Sequence, residues 1–178
     1  MKTLHSVKRY WIILFSCCFV FMANAQTDNC KCCSEVHKAF DFWQGDWQTF
    51  TPDGKLAGTN LIEKIQDNCI LRENWKSASG GYTGTSYNFF NKTSEQWEQI
   101  WIDNQGQHLH LKGGVVDGNM VLQSDAVLQA DGTTILNRIT WTPLKNGNVR
   151  QHWEVKKGEA TWVTAFDGLY KPAPQEAE

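Results

Sequence analysis

From residue 45 onward the chain repeats one pattern: a short run with alternate apolar positions, then a few residues drawn from Gly, Asn, Asp, Ser and Pro. A period of two marks a half-buried strand, and residues that tolerate positive φ or a tight reversal mark the hairpins between strands. The runs fall at 45–51, 58–65, 69–77, 84–91, 97–103, 109–113, 119–128, 133–143, 148–155 and 160–170. Among the separators, Thr51-Pro52-Asp53-Gly54 places proline second and glycine fourth, as a type I turn requires. Asp117-Gly118 is a two-residue hairpin signal. About ten strands joined by hairpin-length links make one antiparallel sheet, which must hide its edges by closing on itself or by splitting into two packed layers. No long crossover interrupts the series, so the expected fold is all-β: an up-and-down antiparallel β-barrel, with a two-sheet β-sandwich as the alternative.

What precedes the strands is of a different kind. Residues 1–25 carry a basic start (Lys2, Lys8, Arg9), an apolar stretch from about Trp11 to Met22, and Ala23-Asn24-Ala25 at the exit. These are the three parts of a secretory signal, with cleavage expected after Ala25. About 12 apolar residues make roughly 18 Å of helix against a hydrocarbon core of roughly 30 Å, so a membrane anchor is the poorer reading. The expected location is therefore periplasmic or secreted, with no transmembrane segment after cleavage. Next come a cysteine-bearing lead-in (26–39), the barrel domain (40–171) and a frayed tail (172–178). In the lead-in, Ser34 can cap one or two helical turns over 35–42.

Removing 25 of 178 residues leaves 153, enough for one domain with its own core. Three of the 17 Lys and Arg but none of the 19 Asp and Glu leave with the signal, so the mature chain carries 14 basic and 19 acidic residues, a formal charge of −5. That balance gives no footprint for nucleic acid. Cys30, Cys32, Cys33 and Cys69 remain, and an oxidising compartment pairs such sets as disulfides. Bonding Cys32 to its neighbour Cys33 is geometrically poor, which favours Cys69 joined to one member of the cluster and a second bond within it. The alternative is a soft-metal site on the three clustered thiolates.

Chemistry has few places to reside. The serine-hydrolase elbow, the His-Glu-x-x-His pair, phosphate loops and dinucleotide fingerprints are all missing. Strand alternation places His108, His110 and Lys112 on one face, Arg150, His152 and Glu154 on another, Glu73 beside Trp75, and Trp101 beside Trp97 and Asp103. Outward, these are ordinary solvated faces. Inward, Glu73, Trp75, Trp101, Arg138, His152 and Glu154 would line a polar, aromatic cavity for a small polar or anionic ligand. His108 and His110, with Glu73 or Glu154, are the candidate ligands for a divalent metal. The first expectation is small-molecule binding. The alternatives are a small enzyme using a His/Glu pair in the same cavity, or a cell-envelope interaction protein whose barrel is filled by its eight remaining tryptophans.

The segment Phe40-Asp41-Phe42-Trp43-Gln44-Gly45-Asp46-Trp47 resembles the Phe-x-x-Trp-x-Gly-x-Trp opening of a family of uncharacterised bacterial exported proteins. Glu73-Asn74-Trp75, Gly84-Thr85-Ser86-Tyr87-Asn88, Arg138-Ile139-Thr140-Trp141 and Gln151-His152-Trp153-Glu154 are similar to later phrases of that family, and the Cys-rich lead-in resembles its Bacteroidetes versions. The family brings no established activity. Gly45-Asp46-Trp47 also resembles, more distantly, the Gly-x-Trp that opens the first strand of the calycins, the lipocalins and nitrobindins. That resemblance implies that Trp47 plugs a closed end and that ligand enters at the opposite mouth. Nitrobindins hold haem through a histidine near the end of the barrel, whereas the last histidine here, His152, lies well before it. No cofactor is therefore expected, haem and a divalent metal being the alternatives.

Overall fold

The computed structural model describes residues 30–174. The leader expected at 1–25 and residues 175–178 of the tail lie outside them.

A four-residue helix α1 (Glu35–Lys38) and a 3-10 turn (Asp41–Trp43) lead into eleven strands: β1 (Gly45–Phe50), β2 (Leu56–Ile65), β3 (Ile70–Ser77), β4 (Thr83–Asn91), β5 (Gln96–Asp103), β6 (His108–Val116), β7 (Asn119–Gln123), β8 (Val127–Leu128), β9 (Thr134–Pro143), β10 (Val149–Lys157) and β11 (Val163–Pro172). Every pairing is antiparallel, and β1 pairs with β11 as well as β2, which closes a ten-stranded barrel and excludes the sandwich.

The extra strand is β8. The expected run 119–128 is divided, because Met120↔Trp141 through Gln123↔Arg138 keep one register with β9 while Val127↔Ile135 is shifted by one residue. Ser124 manages the interruption: its backbone N–H donates to the Asn137 carbonyl at 2.8 Å, and its Oγ accepts the Asn137 N–H at 2.9 Å. Such a bulge bends a strand at a barrel rim. The last strand starts later than its apolar pattern implies and runs on to Pro172, and the Ala173 N–H donates to the Asp46 carbonyl at 2.8 Å. Of the tail expected to fray, Pro172 and Ala173 are thus held against β1.

The turns follow their residues. Asp117 (φ 49°) and Gly118 (φ 78°) both take the left-handed conformation that a tight two-residue hairpin demands. Gln66, Asp67 and Asn68 take it in succession without a glycine, immediately before Cys69.

The core is concentrated at one end. Trp43 stacks on Phe40 with ring centroids 5.0 Å apart, and Trp141 meets Phe40 at 5.1 Å and Trp43 at 5.3 Å. Trp97 completes the cluster edge-on to Phe40, and its Nε1 donates to the Val36 carbonyl at 3.1 Å. The Trp47 Nε1 donates to the Trp43 carbonyl at 2.9 Å, tying the first strand to the 3-10 turn. Trp47 is buried beside this plug. Two disulfides fasten the lead-in, Cys32–Cys69 to the barrel and Cys30–Cys33 within the cluster. All four cysteines are thereby engaged, so the clustered thiolates offer no metal site. In the chain-entropy account the 37-residue span of Cys32–Cys69 is worth about 4 kcal/mol.

Candidate functional site

With the N-terminal segment filling one end, the other half of the barrel holds a cavity of about 320 Å³. Its walls are the mouth-side ends of the strands: Ala57 on β2, Ser77 on β3, Trp101 on β5, Leu109 on β6, Trp153 on β10, and Ala165 and Phe166 on β11, with Tyr82 from the β3–β4 turn. Glu73, Gln99, Ile139, Gln151 and Tyr170 lie deeper, between the cavity and the plug.

The aromatic walls exist because glycines stand beside them. A Cβ on Gly84 would lie 2.0 Å from the Trp101 indole, one on Gly58 would lie 2.7 Å from the Trp75 ring, and one on Gly168 would lie 2.6 Å from the Phe166 ring. Each ring lies flat over a bare stretch of backbone, leaving the middle of the barrel open. Trp75 and Phe166 meet edge to face at 6.2 Å. Trp153 is fixed by its Nε1, which donates to Asn137 Oδ1 at 2.9 Å.

The floor is a polar network in the middle of a protein. Asn60 Nδ2 donates to Glu73 Oε1 at 2.7 Å, and Ser86 Oγ donates to Glu73 Oε2 at 2.6 Å. Asn88 Nδ2 donates to Ser86 Oγ at 2.9 Å, and Gln99 Nε2 donates to Asn88 Oδ1 at 2.8 Å. Asn60 Nδ2 also reaches the Tyr170 hydroxyl at 3.2 Å, and that hydroxyl donates to Gln151 Oε1. All of Glu73's partners are neutral. Burial therefore dominates and pushes its carboxyl up to about 7, against the smaller opposing effect of the Ser86 and Asn60 hydrogen bonds. Burial, and then the charge of Glu73, holds the Tyr170 hydroxyl well above its ordinary value.

The lining expected from the sequence divides in two. Glu73, Trp75 and Trp101 are brought together in the cavity. Arg138, His152 and Glu154 are not, because alternation on β9 and β10 sends Ile139, Gln151 and Trp153 inward and these three outward. On the outer surface Arg138 Nη2 pairs with Glu154 Oε2 at 2.9 Å, and its guanidinium lies 4.2 Å from the centroid of the Trp162 ring. His152 Nε2 meets Thr164 Oγ1 at 2.9 Å on the same surface. A haem in the cavity would find no imidazole there, so these residues do not fit that group. The His/Glu pair imagined for catalysis in the cavity also falls outside it.

His108 and His110 face outward too, opposite the inward Leu109 and Leu111, and His110 Nε2 is 2.8 Å from Glu98 Oε2. Glu73 lies across the wall and Glu154 on another strand, so the proposed metal ligands do not converge. Among the described residues no group of three or more His, Cys, Asp or Glu is placed to hold a metal ion.

Sequence reasoning missed Gln99, Gln151 and Tyr170 at the floor, and Phe166, Trp153 and Tyr82 in the walls. Gln151 and Trp153 were legible as the opposite face of β10; the alternation was plain and only its sense was open. No family model matches the chain, and no curated protein is similar to it in sequence.

Proposed function

We propose that this is an exported small-molecule binding protein whose ligand enters the barrel at the end opposite the plug. The observation that carries the reading is the half-filled barrel: a cavity of about 320 Å³ with aromatic walls and a hydrogen-bonded floor. Pockets of this size and character, apolar with a few convergent polar groups, are what small-molecule sites look like. A barrel serving only as a rigid surface would gain stability by filling that space, since each buried methylene is worth about 0.8 kcal/mol. Two disulfides accord with an oxidising compartment, hence with export. The Arg138, Lys112 and Arg150 side chains that could attract an anion all pair with carboxylates on the outside. The ligand is therefore polar without being anionic.

The test is native mass spectrometry of the mature protein equilibrated with a fractionated small-molecule extract, beside Gly84→Val. The valine side chain forces the Trp101 indole into the cavity. Adducts on the wild type that vanish in the variant support the reading, and adducts retained by a folded variant place the ligand elsewhere.

A second reading is favoured by Glu73 alone: a carboxyl held near 7 at the floor of a pocket is matched to proton transfer at neutral pH. Chemical conversion of a bound compound by the wild type, absent in Glu73→Gln, would decide for it.

A further inference from the structure

We propose that the ligand is an organic amine, its ammonium seated against Glu73 and its apolar body held among the rings of Trp75, Trp101, Trp153 and Phe166. This rests on the ligand-binding reading above and names the chemistry of that same site.

Charge carries the first part of the argument. Among the described residues no Lys, Arg or His lines the cavity, and Glu73 is the only carboxyl in its wall. At the mouth Tyr82 donates its hydroxyl to a second carboxylate, Asp103 Oδ2, at 3.1 Å. The acidic groups at floor and rim are therefore not matched by any cationic side chain of the lining. The barrel's arginines spend their charge elsewhere: Arg72 on Glu63, Arg138 on Glu154 and Arg150 on Asp167, all on the outer face.

Glu73 accepts from neutral groups on both flanking strands, Asn60 on β2 and Ser86 on β4, and the network continues through the neutral Asn88, Gln99, Tyr170 and Gln151. The titratable neighbours are Tyr170, pushed upward by burial and then by the charge of Glu73, and, nearer the mouth, Tyr82, pushed upward by burial and then by its hydrogen bond to Asp103. Isolated carboxylates are costly in such surroundings unless a counter-charge arrives. No side chain of the lining brings one, so Glu73 meets that cost by holding a proton, and a cationic ligand can take the proton's place. Each carboxylate oxygen accepts one protein hydrogen bond and keeps lone-pair capacity for an N–H donor from the cavity side.

The walls select the same ligand. Aromatic faces are negative, and a cation beside several of them gains most where water is excluded. An anion would meet π-faces and a carboxylate together. A neutral molecule would find the walls congenial but would bring Glu73 no counter-charge. Because the Glu73 carboxyl is held near 7, about half of it carries a proton at neutral pH, and seating an ammonium there releases that proton to solvent.

Isothermal titration with phenethylamine, phenethyl alcohol and phenylacetate, which share one ring and nearly one length, tests this. Near pH 8 the amine is expected to bind about tenfold more tightly than the alcohol, with phenylacetate weakest; tenfold is the scale of one charge-assisted hydrogen bond. Near pH 5, where Glu73 is protonated, the preference should shrink to about twofold. Glu73→Gln should erase it at both pH values while still binding the alcohol. If that variant fails to fold, the wild-type comparison at two pH values stands without it. An alcohol bound as tightly as the amine near pH 8 overturns the amine and leaves the cavity a ligand site. Failure of all three probes at millimolar concentration counts against the cavity reading, and the amine falls with it.

Discussion

Replacing Glu73 with glutamine isolates the electrostatic cost of the cavity floor. The wild-type carboxyl moves from an ordinary value of 4.5 in the unfolded chain to about 7 in the folded one. Its folded pKa is raised, so the folded state holds the proton more tightly. Stability is then greatest below the unfolded value and is lost as pH rises through the folded one. At about 1.4 kcal/mol per unit the full loss is about 3 kcal/mol, of which about 2–3 kcal/mol falls between pH 5 and pH 8.5. Glutamine keeps the shape and does not titrate. Urea unfolding of both proteins across that range, disulfides intact, should show the wild type losing ground to the variant by a midpoint shift of roughly 1 M, for an m-value near 2 kcal/mol/M. Taking the difference cancels other titrations, including that of His37, which burial and then Lys92 and Lys64 hold low and which works in the opposite sense. Parallel profiles would falsify the reasoning, because they would mean that Glu73 ionises inside the fold without penalty.

The other expectations can be checked on the same material. Gly84→Val should lower the affinity for any cavity ligand by tenfold or more, read by titration, because its Cβ and branches occupy the place of the Trp101 ring. Exchanging both Cys32 and Cys69 for alanine should cost up to about 4 kcal/mol by urea unfolding while ligand binding by the remaining folded protein is unchanged. Trp43→Ala, in the middle of the plug, should cost about 3–5 kcal/mol and lower the melting temperature accordingly. Arg138→Ala, by contrast, removes an outer ion pair and a stacked indole, so a stability change of about 1 kcal/mol and unaltered ligand affinity are expected. A large loss of affinity there would return Arg138 to the site.

Strand number, hairpin positions and barrel closure were legible because period two and turn residues are local signals. The division of β7 from β8 was not, since Asn119 to Leu128 reads as one run and the interruption at Ser124 depends on what Asn137 offers from the neighbouring strand. For the site, alternation correctly grouped Arg150, His152 and Glu154 on one face of β10 and Gln151 and Trp153 on the other. It could not say which group met the interior. Charge decided that: a row with arginine, histidine and glutamate can satisfy itself outside through Asp167, Thr164 and Arg138. Glu73 went against that tendency. Its companions Asn60, on β2, and Ser86 and Asn88, on β4, flank it from the two neighbouring strands, and only the register brings them together.

The pairing of β1 with β11 sets Trp47 opposite Pro172, while most other neighbours in the ring are also neighbours in sequence. Nine strands can therefore zip up as a growing meander, but the ring waits for the final ten residues of the fold. Loop closure on that scale is slow relative to hairpin formation. Until it happens, the inner face of β1 lies open and Tyr170 has yet to reach Gln151 and Asn60 at the floor. The cavity is thus the last part of the molecule to come into being, and a chain truncated anywhere in β11 would lose its site before it lost its strands.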